Sequence, residues 1–209
     1  LMKKQIIFTV TVSLLSFGVI DSAVTKDKST NQTELIDLQK EREEELCKIE
    51  EEKYLLELHY EEELQNFLDA LGFRESGNRY HITNKWGYMG KYQFGRYTLE
   101  RFNIYNTNSF LKDPELQEKV FIAYCKVNKW ILRKDIKRSV GKTINGIKIT
   151  ESGILAAAHL SGAGNVKKYL RSSGSRNLSD AYGTSIASYM EIFAGYDVSF
   201  IIGDRKASV

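Results

Sequence analysis

Glu75 is the residue of this chain best placed for acid chemistry. Leu64, Phe67, Leu68 and Leu71 fall at i, i+3, i+4 and i+7, the apolar face of a helix. At about 100° per residue, Glu75 returns to within about 20° of Leu64 and Leu68. Its carboxyl is therefore aimed at the apolar side, beside Phe73. Burial there disfavours the charged form, and a protonated carboxyl is what a general acid working near neutrality needs. Gly72 interrupts the pattern and Ser76-Gly77 ends it, leaving Glu75 at the end of an element with open space above. The alternative is a glutamate that caps the helix or pairs with Arg74 or Arg79.

The residues that follow suit a carbohydrate. Residues 73–95 read FRESGNRYHITNKWGYMGKYQFG, rich in glycine and aromatic side chains. Tyr80, Trp86, Tyr88, Tyr92 and Tyr97 are flat rings with a polar edge. Sugars stack their C–H faces on such rings while their hydroxyls hydrogen-bond. Most of these rings belong to a core, and one or two are expected to line a cleft.

This segment resembles the lysozyme-like superfamily, and most of all the soluble lytic transglycosylase (SLT-type) domain. In that family a helix ends in Glu-Ser, a Gly-x-x-Gln block follows, and an Ala-Tyr-Asn-Ala-Gly-x-Gly stretch comes later. Glu75-Ser76 matches the first and Gly90-Lys91-Tyr92-Gln93 the second. Ala156-Ala157-Ala158-His159-Leu160-Ser161-Gly162-Ala163-Gly164-Asn165-Val166 looks like the third. The resemblance covers roughly Leu64 to Tyr196. It implies that Glu75 is catalytic and that Ser76, Tyr88, Gly90, Tyr92, Gln93, His159, Gly162 and Tyr189 meet the substrate. His159 and Leu160 stand where the family has Tyr and Asn, and the Glu-Thr that precedes the family's last Tyr is missing before Tyr189.

Ordinary glycosidases use two carboxylates. No second Asp or Glu follows Glu75 before Glu100. The resemblance implies a solution with one, acting on peptidoglycan and needing neither metal nor cofactor. Glu75 protonates the glycosidic oxygen, the N-acetyl group of muramic acid steadies the cationic centre, and the carboxylate then takes the proton of the sugar's own C6 hydroxyl. A 1,6-anhydro product results. A hydrolytic variant requires the fold to bring Asp113, Asp180, Asp197 or Asp204 into the cleft. A glycan-binding module without turnover and a structural envelope protein are the competing readings.

The elements that must position these residues are mainly helical. Asp113-Pro114 is a helix start, with Asp as cap and Pro at the first position. Leu116, Val120, Ala123, Val127 and Trp130 continue that helix on one face. Residues 142–150 (KTINGIKIT) predict a β-hairpin turning at Asn145-Gly146. Thr150 or Ser152 caps the helix that carries His159, and Ile186, Tyr189, Met190 and Phe193 mark another. The expected fold is mainly α, lysozyme-like α+β, with one small hairpin.

A long charged helix is expected before it. The 209 residues carry a net charge of +3, which hides two opposite blocks. Residues 34–63 hold 13 acidic and 4 basic side chains, and residues 64–209 hold 12 and 22. Residues 34–63 lack Gly and Pro, and Leu35, Leu38, Leu46, Ile49, Leu56 and Tyr60 give an apolar stripe broken at Arg42 and Lys53. That reads as a solvated helix, a coiled-coil arm through which the chain self-associates, or an acidic arm that folds back over the basic domain. Residues 1–23, with Lys3 and Lys4 before the apolar run Ile6–Ile20 and small residues after it, read as a signal peptide or an uncleaved anchor. Residues 24–33 read as a linker, and residues 64–209 as the catalytic domain. Export to the periplasm or cell envelope follows. The dispersed cations and the export signal argue against nucleic acid. Cys47 and Cys125, the two cysteines, lack metal-ligand spacing, and outside the cytoplasm Cys47 could pair with Cys125 or with its twin in a dimer.

Overall fold

The computed structural model describes residues 27–180 and 183–209. The signal-peptide reading of residues 1–23 and the start of the expected linker lie outside the described residues. Seven helices and one two-stranded antiparallel sheet are present among them. No helix among the described residues is long and apolar enough to cross a membrane.

Helix α1 runs Asp27–Ser76. Its start corrects the linker expectation, since residues 27–33 are helical. The chain divides into two compact units within this helix, at Glu52/Lys53 rather than at the expected Glu63/Leu64. In the first unit, Leu35, Leu38, Leu46 and Ile49 are exposed along the helix. Cys47 is exposed and Cys125 buried, and both thiols are free, so the intrachain pairing is not formed.

In the second unit α1 continues as the sequence period requires. Phe67, Leu68 and Leu71 are buried in the core, and Leu64 packs against it. Gly72 does not end the helix. The Lys91 side chain crosses it so closely that a Cβ there would overlap Lys91. Phe73, expected on the apolar side with Glu75, is instead 71% exposed.

Short helices α2 (Arg96–Arg101) and α3 (Thr107–Leu111) lead into α4 (Pro114–Ser139). The Asp113 carboxylate accepts from the Leu116 N–H at 2.9 Å, the cap that Asp-Pro encodes. Strands β1 (Thr143–Ile144) and β2 (Ile147–Lys148) pair with Ile144 opposite Ile147. Asn145 and Gly146 both have positive φ, 50° and 83°, as a type I′ turn needs.

Helix α5 (Glu151–Ser161) starts at Thr150, whose hydroxyl accepts from the Gly153 N–H at 3.1 Å. Its small residues Ala156, Ala157 and Ala158 are fully buried, and α4, α6 (Ala163–Arg171) and α7 (Ile186–Ile192) pack around it. The closest approach is backbone to backbone: a Cβ on Gly153 would stand 2.5 Å from the Met190 carbonyl oxygen. Neither partner is a flexible side-chain end, so Gly153→Ala is expected to lower stability by about 2 kcal/mol. Thermal denaturation checks this, and an unchanged melting temperature would show that α7 can slide.

Candidate active site

Glu75 is the penultimate residue of α1, and the turn behind it is built from the same motif. Gly77 takes φ 66°, its N–H donating to the Phe73 carbonyl at 2.9 Å, and the Asn78 N–H donates to Gly72 O at 3.1 Å. This left-handed termination closes a helix at Gly. Ser76 serves it: the hydroxyl donates to Gly72 O at 3.3 Å and accepts from the Arg79 N–H at 3.0 Å. Ser76 is thus committed to the turn, and the side chain that emerges beside it is Glu75.

That side chain is 16% exposed, and neither Arg74 nor Arg79 forms an ion pair with it. Its Oε1 accepts a 2.6 Å hydrogen bond from the Tyr189 hydroxyl of α7. Burial, and next the charge of Glu75, push the Tyr189 hydroxyl well above the ordinary tyrosine range, so Tyr189 stays a donor. Two elements more than a hundred residues apart in sequence meet at this atom pair.

His159 completes the floor. Its Nε2 is 3.9 Å from Glu75 Oε1, too far for a hydrogen bond, and donates instead to the Tyr92 carbonyl at 2.8 Å. Phe94, Phe121 and Tyr124 surround the ring edge to face at 5.4–6.0 Å. Burial pushes the His159 pKa below its usual value, against the opposing influence of Glu75. A neutral imidazole follows, with its proton on Nε2 and a buried, unpartnered Nδ1.

Residues 77–95 form the other wall. Short antiparallel bridges, Thr83 to Met89 and Met89 to Phe94, fold the segment on itself. The Asn84 side-chain oxygen accepts from the N–H groups of Trp86 (2.8 Å) and Tyr88 (3.1 Å), a local turn that displays both rings. Gly90 has φ 76°, and a side chain on it would collide with Gln117. Gln117, fully buried, accepts from the Lys91 N–H and donates to the Tyr80 and Phe110 carbonyls. The Gly-x-x-Gln block is thereby locked, and the Gln93 amide donates to Gly90 O at 2.8 Å.

Between these walls lies a groove of about 720 Å³. Of the residues read from sequence, Glu75, Tyr88, Gln93, His159 and Tyr189 line it. Ser76, Gly90, Tyr92 and Gly162 are not among its lining residues. Tyr92 is fully buried, stacked on Phe121 at 4.2 Å. Gly162 joins α5 to α6 with φ 78°. Trp86, Arg74 and Arg79, to which the sequence motifs assign no substrate contact, also line the groove, as does Thr184. Asp180 lines it too, so one of the four aspartates that hydrolysis could use is in place. Its Oδ1 accepts from the Thr184 N–H at 2.8 Å.

No family model, curated protein or solved structure matches this chain. The functional reading therefore rests on the groove itself and on the sequence motifs that build it.

Proposed function

We propose that the protein is an exported peptidoglycan-cleaving enzyme, a lytic transglycosylase that cuts the β-1,4 bond between N-acetylmuramic acid and N-acetylglucosamine. The observation that carries this reading is Glu75: a carboxyl at a helix end, mostly buried, facing a groove and oriented by a tyrosine hydroxyl. The Tyr189 hydrogen bond fixes Oε1, so one carboxyl oxygen has a set orientation toward a bound glycosidic oxygen. Glu75 donates its proton to that oxygen as the bond breaks, and as a carboxylate it recovers one from the C6 hydroxyl. Export is proposed from residues 1–23, and self-association from the exposed apolar residues of the helical arm.

Asp180 supports a second reading, hydrolysis. A second carboxylate in the groove is what a water-using glycosidase requires. Mass spectrometry of digested sacculi decides between them. Anhydro-muropeptides are expected; products with reducing ends would make the protein a muramidase, and binding without products would make it a glycan-binding module.

The exposed rings give a further expectation. Trp86 is 58% exposed at the groove edge, held by Asn84 rather than by core packing. Trp86→Ala is expected to weaken glycan binding about fivefold to tenfold, as loss of one stacking platform does, without altering the melting temperature. Titration with soluble glycan strands measures it, and an unchanged affinity would remove Trp86 from the binding surface.

A further inference from the structure

We infer that the groove selects glycan strands that carry a carboxylate next to the scissile bond, held by the Arg74 and Arg79 guanidiniums, and discriminates against neutral N-acetylglucosamine polymers. The inference rests on the glycan-cleaving reading above and names the chemistry of its substrate.

Arg74 and Arg79 bracket the acid in sequence and both line its groove. Of the other arginines, Arg96 is answered by Glu100, and Arg138 and Arg171 by the buried Asp135, while Arg101, Arg133 and Arg205 lie over aromatic rings. Neither Arg74 nor Arg79 has a carboxylate within 4 Å among the described residues. Arg79 is nonetheless oriented, its Nε donating to the Ser76 carbonyl at 2.7 Å, which leaves its terminal nitrogens for another acceptor. Arg74 stands beside the Tyr189 hydroxyl, next to the acid itself.

The charge count of the groove points the same way. Its carboxyl groups are Glu75 and Asp180, against two guanidiniums. When Glu75 carries the proton that it donates, one negative charge faces two positive ones. A neutral polymer leaves that excess unanswered, whereas a carboxylate on the adjoining ring answers it with the two-pronged geometry that guanidinium favours. Muramic acid carries such a group on its C3 ether: a free lactyl carboxylate in strands without peptide, or the carboxylates of a stem peptide.

Three substrates separate the possibilities: chitohexaose, peptide-free glycan strands with free lactyl carboxylates, and strands with intact stem peptides. Affinity is measured on full-length Glu75→Gln protein, so that the preference is read whether or not cleavage occurs, and kcat/KM on the wild type. At least a tenfold preference for one of the anionic strands over chitohexaose is expected. Preference for the peptide-free strand assigns the lactyl carboxylate; preference confined to the intact strand assigns the stem peptide. Arg79→Gln and Arg74→Gln, made on the Glu75→Gln background and on the wild type, should each remove most of that preference, chiefly through KM, and flatten its salt dependence. The second variant is included because Arg74 lacks the turn contact that Arg79 makes with Ser76. Equal affinity for neutral and anionic strands, or variants that weaken all three substrates alike, would overturn the inference. Selective binding with no cleavage of any strand would leave it standing and overturn the enzymatic reading.

Discussion

Glu75→Gln is expected to lower the rate of peptidoglycan cleavage by about 10³-fold, within the range that a positioned general acid supplies, and to leave the melting temperature unchanged. Both halves follow from the same contact. The Tyr189 hydroxyl donates to Glu75 Oε1 at 2.6 Å, and a glutamine oxygen accepts that bond equally well. The substituted side chain has the same shape, and no ion pair with Arg74 or Arg79 is lost. What disappears is the proton. An amide cannot protonate the leaving oxygen, and Tyr189, its hydroxyl held well above the ordinary range by burial, does not release one in its place. Glycan binding should survive, so the loss should appear in kcat rather than in affinity. Retained cleavage would move the acid elsewhere, and Asp180, the other carboxylate lining the groove, would be the first place to look.

How far the site could be read from sequence depends on whether the signal is local. The helix period placed Glu75 at an apolar face, and Phe67, Leu68 and Leu71 are indeed in the core. Asn145-Gly146, Thr150 and Asp113-Pro114 specify their turn and caps within a few residues, and each is found where expected. Nonlocal events account for the misses. Helix α1 passes through Gly72, where a side chain would overlap that of Lys91, nineteen positions on. An aromatic ring carries no mark of its side: Tyr92 went to the core and Trp86 to the groove edge. Asp180 and Thr184 arrive from a segment without periodicity, so only folding could choose Asp180 from the four candidate aspartates. His159, which stands where the family has a tyrosine, lines the groove while held by a backbone carbonyl and three rings.

Lys91→Met is expected to cost about 3 kcal/mol of stability, the lower end for breaking a buried ion pair, because one of the lysine's partners is half exposed. Lys91 is 1% exposed, and its ammonium meets Asp69 at 2.8 Å, Glu118 at 2.9 Å and the Tyr80 hydroxyl at 3.4 Å. Tyr80 and Tyr92 also donate their hydroxyls to Glu118. Burial pushes the Lys91 pKa down, but the two carboxylates outweigh it and hold the amine above its ordinary range. Methionine retains the unbranched stem that crosses Gly72 and removes only the charge, leaving Glu118 without its cation. The pH dependence gives an independent reading. Burial raises the Asp69 carboxyl, yet hydrogen bonds from Lys91 and then Gln65 prevail and hold it below the usual value. Its contribution is therefore complete above the unfolded carboxyl value of about 4 and fades as pH falls through the lower folded value. Lys91→Met should remove that part of the acid-induced loss, so wild type and variant should converge in stability as the pH drops. The same substitution should reach the groove. The Lys91 ammonium ties the Gly90–Gln93 turn to Asp69 of α1 and Glu118 of α4, and the Tyr92 carbonyl, in the same turn, anchors His159 beside Glu75. Cleavage should fall with stability even at temperatures where the variant remains folded. A variant as stable as the wild type at neutral pH would mean that core packing around Tyr92 and Phe121, and not this charge cluster, holds the turn against α1.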